Sequence, residues 1–257
     1  MDWKLTVNIY IVVFLLLNIT LGYILYSNYD ENSDVLQSTE STLEDANIEI
    51  EQIVMAPEEG VPQATASMYE FTAENTATQT DFVVSDDNYT ITYDVSAEDI
   101  SMDLEILAEY KEVNIFNGTS YRYSEAVSDM THQVFLQYYN GFPIFDASSA
   151  KLTMTGENRT VETYEQSLLH NFEEVETLFV DAIITPQGIV ESMYTRGFIE
   201  ENSIIELIQI GYDTVTVEEG RVLLRPAYEV IVVDEVGNER QFVVDAISLT
   251  GAIRERE

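Results

Sequence analysis

Two histidines are the residues whose type best suits catalysis or metal binding in this sequence. His132 falls within a strand-like pattern, and His170 falls at the junction of a predicted strand and a predicted helix. Neither has an H-x-x-x-H or H-E-x-x-H neighbour, the spacing that would place two imidazoles on one zinc ion. Since the chain has no cysteine, thiol chemistry and thiolate metal sites are excluded. The sequence therefore predicts no metal and no cofactor.

Other patterns that carry chemistry are missing from the sequence as well. It contains no G-x-S-x-G serine motif, no glycine-rich phosphate loop and no D-x-[DN]-x-[DN]-G calcium loop. With 47 acidic residues, carboxylate pairs at the spacing of a glycosidase site arise by chance. We therefore predict a non-enzymatic protein without catalytic residues.

A cluster of aromatic residues is the remaining candidate for a site. Two interpretations stay open: a sheet core with cross-strand pairs, or a surface that binds a protein partner. The residues of the candidate partner face are Tyr138, Tyr139, Phe142 and Phe145. Tyr121 and Tyr123 belong to the same cluster.

The stretch from Leu5 to Tyr26 carries no charged residue across 22 positions. As a helix it would be roughly 33 Å long, enough to cross a bilayer. Lys4 precedes it and the next basic residue is Lys111, so we expect a cytoplasmic tip at 1–4 and an extracytoplasmic C-terminal part. A cleaved signal peptide is the alternative, but the apolar run is longer than such peptides need and no small-x-small site follows it.

One stripe of this predicted helix combines polar, small and apolar residues. Its members recur at spacings of three and four, and we predict that they form a seam for another transmembrane helix. A local hydrogen bond of the asparagine side chains is the alternative. The seam residues are Asn8, Ile11, Leu15, Asn18 and Gly22.

The remainder of the chain is strongly acidic. Asp2 and Lys4 are the only charges before Asp30, so the formal net charge of −36 lies beyond the predicted helix. Such a surface excludes nucleic acid as a partner, because binding phosphates requires lysine and arginine. It also points to a salty or alkaline medium that screens repulsion.

We predict an α+β fold with one N-terminal transmembrane helix and two related antiparallel-sheet halves that also contain helices. The polar segment 27–47 reads as a flexible stalk, and the halves as 48–170 and 171–257. The first half contains a helix capped by Ser96 and a hairpin at Asn140-Gly141. The second contains helices at 172–179 and after Pro186, the latter ending at Arg196-Gly197, and an ambiguous segment at 203–210. Three strands close the chain, at Thr214–Val217, Arg221–Val233 and Glu239–Ser248.

The sequence resembles the YycI family at several short motifs. Met1–Lys4 and an anchor containing Phe14–Asn18 are similar to the family's N-terminus, and Gln137–Phe145 is similar to its Y-x-G-x-P-[IV]-F hairpin. Arg225–Tyr228 and Val244–Ala246 are similar to its C-terminal part, which also resembles PepSY modules.

The resemblance implies a membrane-anchored regulator of a sensor histidine kinase of the YycG (WalK) type, which controls cell-wall metabolism. It implies a second anchored partner of the YycH type, and thus a homo- or hetero-oligomer. It transfers no catalytic residue. The alternative function is a PepSY-like inhibitor or chaperone of a secreted hydrolase.

Overall fold

The computed structural model describes residues 43–57, 60–72, 82–145, 148–178, 182–218 and 220–256, together with Phe14 and Asn18. Within the described ranges the chain forms the α-helices α1 (Leu104–Asn114) and α2 (Pro186–Thr195), a short helical segment at 43–45, and fifteen strands. The strands, in chain order, are β1 (Glu49–Ile50), β2 (Ile53–Val54), β3 (Val61–Met68), β4 (Phe82–Val84), β5 (Thr90–Asp94), β6 (Tyr121–Tyr123), β7 (His132–Tyr139), β8 (Phe142–Pro143), β9 (Lys151–Glu157), β10 (Thr160–Ser167), β11 (Leu169–Leu178), β12 (Ile204–Glu218), β13 (Arg221–Val233), β14 (Glu239–Asp245) and β15 (Ile253–Arg256).

The described strands form two sheets. The seven-stranded sheet has the order β4-β5-β10-β9-β7-β6, with β8 paired to β7. The eight-stranded sheet has the order β1-β12-β13-β14-β15, with β2 also on β12 and with β3 between β13 and β11. All pairings are antiparallel except those of β1 and β2 with β12. The expectation of an α+β fold with antiparallel sheets is therefore confirmed, and the strands divide into two sheets.

The two sheets do not follow the predicted division of the chain at residue 170. Strands β1 to β3 come before the seven-stranded sheet in the sequence but lie in the eight-stranded one. Residues 82–167 are thus inserted between two strands that pair with each other, β3 and β11. Leu43 and Ala46, which we assigned to the stalk, are buried against the eight-stranded sheet. The packed structure therefore begins before residue 48, where we placed the end of the stalk. Residue 170 does not divide the two sheets.

Each α-helix begins at a side-chain cap. Asp103 accepts a hydrogen bond from the Glu105 backbone N–H at the start of α1. Thr185 accepts one from the Gly188 N–H, and Pro186 follows in the first helical position of α2. The helix predicted after Pro186 is confirmed, as is its end near Gly197, which has a φ of 78°.

The prediction that Ser96 caps a long helix is wrong. Residues Ser96–Glu98 form only a 3-10 turn, and Asp99 then takes the left-handed conformation. The next residues pair with the start of β10, since Met102 N–H donates to the Arg159 carbonyl and Val161 N–H donates to the Ile100 carbonyl. Because residues 100–102 pair with the sheet, the helix begins only at Leu104.

The predicted helix at 172–179 is also wrong, because Leu169–Leu178 is a strand. Its register against β3 shifts twice, between His170 and Glu173 and between Glu174 and Glu176. Each bulge adds a residue to a strand and disturbs its period of two. Phe172 and Leu178 pack against the apolar core, whereas Val175 is 60% exposed, so the helix-like spacing of these three residues does not reflect a shared buried face.

The hairpin predicted at Asn140-Gly141 is confirmed with a loop of two residues. Tyr139 pairs with Phe142 across it, and Tyr138 pairs with Pro143. Asn140 and Gly141 both have positive φ, at 47° and 86°. This is the backbone that joins two twisted antiparallel strands most directly.

The two sheets pack on each other, and each has a helix on its other face. Leu107 of α1 packs with Phe135 and Leu152 of the seven-stranded sheet. The neighbouring residue Leu136 points to the opposite face and packs with Ala227 and other residues of the eight-stranded sheet. Residues Ile189, Val190 and Met193 of α2 cover that sheet's far side.

A glutamine side chain joins the sheets where the chain passes from β10 to β11. Gln137 is buried on β7, and its Oε1 accepts a hydrogen bond from the Leu169 N–H at 2.8 Å. Its Nε2 donates to the Leu169 carbonyl at 2.7 Å. The side-chain amide of Gln137 therefore makes the same two hydrogen bonds to the Leu169 backbone that a residue of a neighbouring strand would make. Tyr121 supports the junction by donating its hydroxyl proton to the Ser167 carbonyl at 2.6 Å.

Candidate partner-binding surfaces

The predicted seam is represented in the described residues by Asn18 alone. Phe14 and Asn18 are helical and exposed, and Asn18 Nδ2 donates to the Phe14 carbonyl at 2.7 Å. This is the local hydrogen bond considered as the alternative to a partner. It uses one of the two amide N–H groups. Residues Asn8, Ile11, Leu15 and Gly22 lie outside the described part of the chain.

The described part of the chain includes no helix that is both long enough and apolar enough to span a membrane. The predicted span at 5–26 falls outside these residues except for Phe14 and Asn18.

The aromatic cluster divides between the interior and a half-buried group at the hairpin. Tyr121 and Phe145 are interior, each 1% exposed. Tyr139 stacks on Phe172 with ring centroids 4.4 Å apart and planes at 13°. Phe142 meets Tyr212 edge-on at 5.9 Å. Of the predicted partner face, Phe145 packs between the sheets, and the residues within reach of a partner are Tyr138, Tyr139 and Phe142.

Tyr138 lies close to two charged residues, the exposed Arg122 and the buried Glu229. The Arg122 guanidinium lies over its ring, 4.4 Å from the centroid. Burial raises the pKa of Tyr138, and the negative charge of Glu229 adds to the rise. The phenol therefore stays neutral and presents a hydrogen-bonding tip beside an apolar ring.

A buried ion pair lies on the eight-stranded sheet. Glu229 in the middle of β13 is 0% exposed, and its carboxylate accepts hydrogen bonds from Arg256 Nη1 at 2.7 Å and Gln209 Nε2 at 2.6 Å. None of these three residues was among the sites predicted from the sequence. The one acid within the otherwise uncharged run from Pro226 to Val233 was the signal that could have identified the ion pair.

Tyr212 has a buried hydroxyl that makes no hydrogen bond within the described residues. Burial raises the pKa of this phenol, as do nearby Tyr139 and Glu174. We expect Tyr212→Phe to stabilise the protein by about 1 kcal/mol, because it removes a desolvated polar atom and keeps the ring contacts. Urea denaturation measures this change. Tyr121→Phe, which removes the bonded hydroxyl, serves as the control and should destabilise.

Asp129, His132 and Lys111, outside these surfaces, make structural contacts. His132 lies beside Asp129, with Nδ1 3.1 Å from Oδ2, and hydrogen bonds from Thr131 and His132 lower the pKa of Asp129. Lys111 is buried and donates from Nζ to the Gly118 carbonyl at 3.0 Å, and burial lowers its pKa. Within the described ranges, no three His, Asp or Glu residues are placed to hold a metal ion.

An open cavity of about 510 Å³ lies at the first bulge of β11. Its lining includes one acidic and one basic residue together with polar and apolar ones. The lining residues are Ala66, Ser67, Asn171, Phe172, Glu173 and Arg221.

The fold and these surfaces define an α+β protein in which two mainly antiparallel sheets pack face to face between helices. A family model described as "YycI protein" matches residues 18–247. The chain therefore belongs to the YycI family, membrane-associated proteins with a regulatory role in the YycG (WalK) two-component system.

A solved structure supports the fold. The crystal structure of an uncharacterized protein from Eubacterium rectale ATCC 33656 is similar with a TM-score of 0.50 and 11% sequence identity. The similarity covers 82% of this chain and 91% of that one. No curated protein matches the sequence.

Proposed function

We propose that this chain is a non-enzymatic subunit that binds a sensor histidine kinase of the WalK/YycG type together with a YycH-type anchored protein. In this role it modulates kinase activity in the control of cell-wall metabolism. It would be a single-pass membrane protein with a cytoplasmic N-terminus and an extracytoplasmic C-terminal domain. Family membership over residues 18–247 is the observation that carries the proposal.

The proposed contact is the seam on the predicted transmembrane helix. In lipid, close-packed small residues and amide hydrogen bonds hold helices together, because apolar surface alone gives no preference for a partner. The Asn18 amide donates one N–H to its own helix. It retains a second donor and an acceptor that can pair across a helix interface. The subunit can shift the kinase between two states only by the difference in its affinity for them.

We expect Asn18→Leu combined with Gly22→Ile to weaken association with the kinase about tenfold. The estimate corresponds to the roughly 1–2 kcal/mol typical of one interhelical hydrogen bond. Co-purification from membranes and kinase output measure the effect. Val13→Ile combined with Thr20→Leu also enlarges one side chain and removes one polar group, but on the opposite side of the predicted helix, and serves as the control. Equal association of both variants and the wild type would contradict the seam.

Crosslinking in living cells tests the proposal directly. A photoreactive residue at Ile11 or Leu15 should attach to the kinase or to the YycH-type protein. Residues 1–28 fused to a foreign extracytoplasmic domain should still alter kinase output. If deletion of the chain instead raised secreted protease activity and left kinase output unchanged, the hydrolase-inhibitor alternative would replace this proposal.

A further inference from the structure

One edge of the eight-stranded sheet exposes a run of apolar residues. Ile53, Val54 and Met55, at and after β2, are 36%, 42% and 63% exposed. Strands β1 and β2 pair with β12, and no other described strand pairs with either. An apolar strand at an open sheet edge is a template for pairing with another chain.

The backbone of this edge also has groups directed outward. Glu51 N–H donates to the Ile205 carbonyl at 2.9 Å, and the Gln52 carbonyl accepts from Ile208 N–H at 2.9 Å. In a parallel ladder, the residues that pair between such inward bonds direct their own N–H and C=O groups to the other side. The peptide groups of Ile50 and Ile53 therefore point away from β12.

The opposite edge of the same sheet shows which kind of strand this protein accepts. There β15 pairs with β14, and its Ile253 packs against the apolar core. Its arginines pair with acids of the sheet, Arg254 with Asp213 at 2.6 Å and Arg256 with Glu229 at 2.7 Å. The two arginines of β15 thus alternate with Ile253 and with Glu255, which itself pairs with Arg240 at 2.7 Å. Basic side chains at alternate positions therefore satisfy acids at an edge of this sheet.

We propose that the β1–β2 edge is a strand-addition site for a partner segment that alternates basic and apolar residues. The carboxylates of the exposed residues Glu49 and Glu51 would form ion pairs with the basic side chains of the partner. Ile53, Val54 and Met55 would contact its apolar side chains. A second copy of the chain is disfavoured as the occupant, because its formal net charge of −36 opposes self-association. Main-chain hydrogen bonds would supply affinity, and the alternation would supply specificity.

The probe is a synthetic octapeptide of alternating lysine and valine, titrated into the full-length protein in neutral detergent. The control peptide has the same sequence and charge, but its backbone is methylated at alternate nitrogens, so it cannot add to a sheet. We expect the unmodified peptide to bind at least tenfold more tightly. We also expect hydrogen exchange to slow within residues 50–55 when it binds.

Two protein variants locate the site. Met55→Lys places a like charge on the edge and should weaken peptide binding at least fivefold. Val83→Lys adds the same charge to an exposed residue of β4 in the other sheet and should leave binding unchanged. Equal binding of both peptides, or equal loss in both variants, would overturn the proposal in favour of unspecific charge attraction. A concentration-dependent dimer that Met55→Lys abolishes would assign the edge to a second copy and overturn it too.

Discussion

Replacing Arg256 by methionine is expected to lower the free energy of unfolding by about 3–5 kcal/mol, the usual cost of removing one partner of a buried ion pair. In this variant the Glu229 carboxylate stays fully buried. Of its two partners described above, it keeps only Gln209. A buried charge without a counter-ion is among the most destabilising features in a protein interior. Because Arg256 is on the last described strand, the penalty should also loosen β15 from β14. Equilibrium urea denaturation measures the loss.

Two further variants separate the buried charge from other effects of the substitution. Glu229→Gln combined with Arg256→Met should recover most of the stability, because the charge itself is gone. Arg254→Met breaks the more exposed pair with Asp213 and should cost less than about 1 kcal/mol. If Arg256→Met cost no more than Arg254→Met, Glu229 would not depend on this arginine.

Replacing Gln137 by leucine is expected to destabilise the protein by about 2–4 kcal/mol. The change leaves the N–H and C=O of Leu169 without the two bonds that the glutamine side chain makes to them. Each buried backbone group that loses its partner costs roughly 1–3 kcal/mol, and a leucine of similar volume returns part of this through apolar contact. Since the bonds join β7 to β11, the loss weakens the junction between the two sheets.

Hydrogen exchange distinguishes this effect from general loss of packing. In Gln137→Leu, the Leu169 amide should exchange faster than its neighbours in the middle of β10 and β11. Gln133→Leu, four residues earlier on the same strand, removes a bond from Nε2 to the Asp129 carbonyl at the surface and should change stability little. Uniformly faster exchange along β7 would contradict a specific role for Gln137.

Local signals predicted several elements of the fold correctly. The hairpin at Asn140-Gly141 followed from two residues that tolerate positive φ. The helix after Pro186 followed from its apolar spacing and from the glycine at its end. Strand β13 has the predicted limits, Arg221–Val233, because a long run of β-branched and aromatic residues has few other conformations open to it. These features depend on neighbours in sequence.

The predictions failed where contacts between residues far apart in the sequence determine the local structure. The helix-like spacing in β11 did not give a helix, because the segment pairs with β3 through two bulges, and a bulge is defined by the partner strand. Ser96 had the chemistry of a helix cap, but pairing of residues 100–102 with the start of β10 moved the helix to Leu104. For the partner face, burial placed Phe145 between the sheets while Tyr138, Tyr139 and Phe142 remained half-buried.

By itself the sequence determined the family, the predominance of strands, the acidic character and the position of the long uncharged stretch, because composition, periodicity and short motifs carry these properties. Only the tertiary structure decided which strands share a sheet, that β1 to β3 join the C-terminal strands, and that Glu229, Gln209 and Arg256 meet. Sheet order depends on contacts between residues more than a hundred positions apart, such as those of β3 with β11. Such pairings leave no pattern in a single sequence, since many strands satisfy the same alternation equally well.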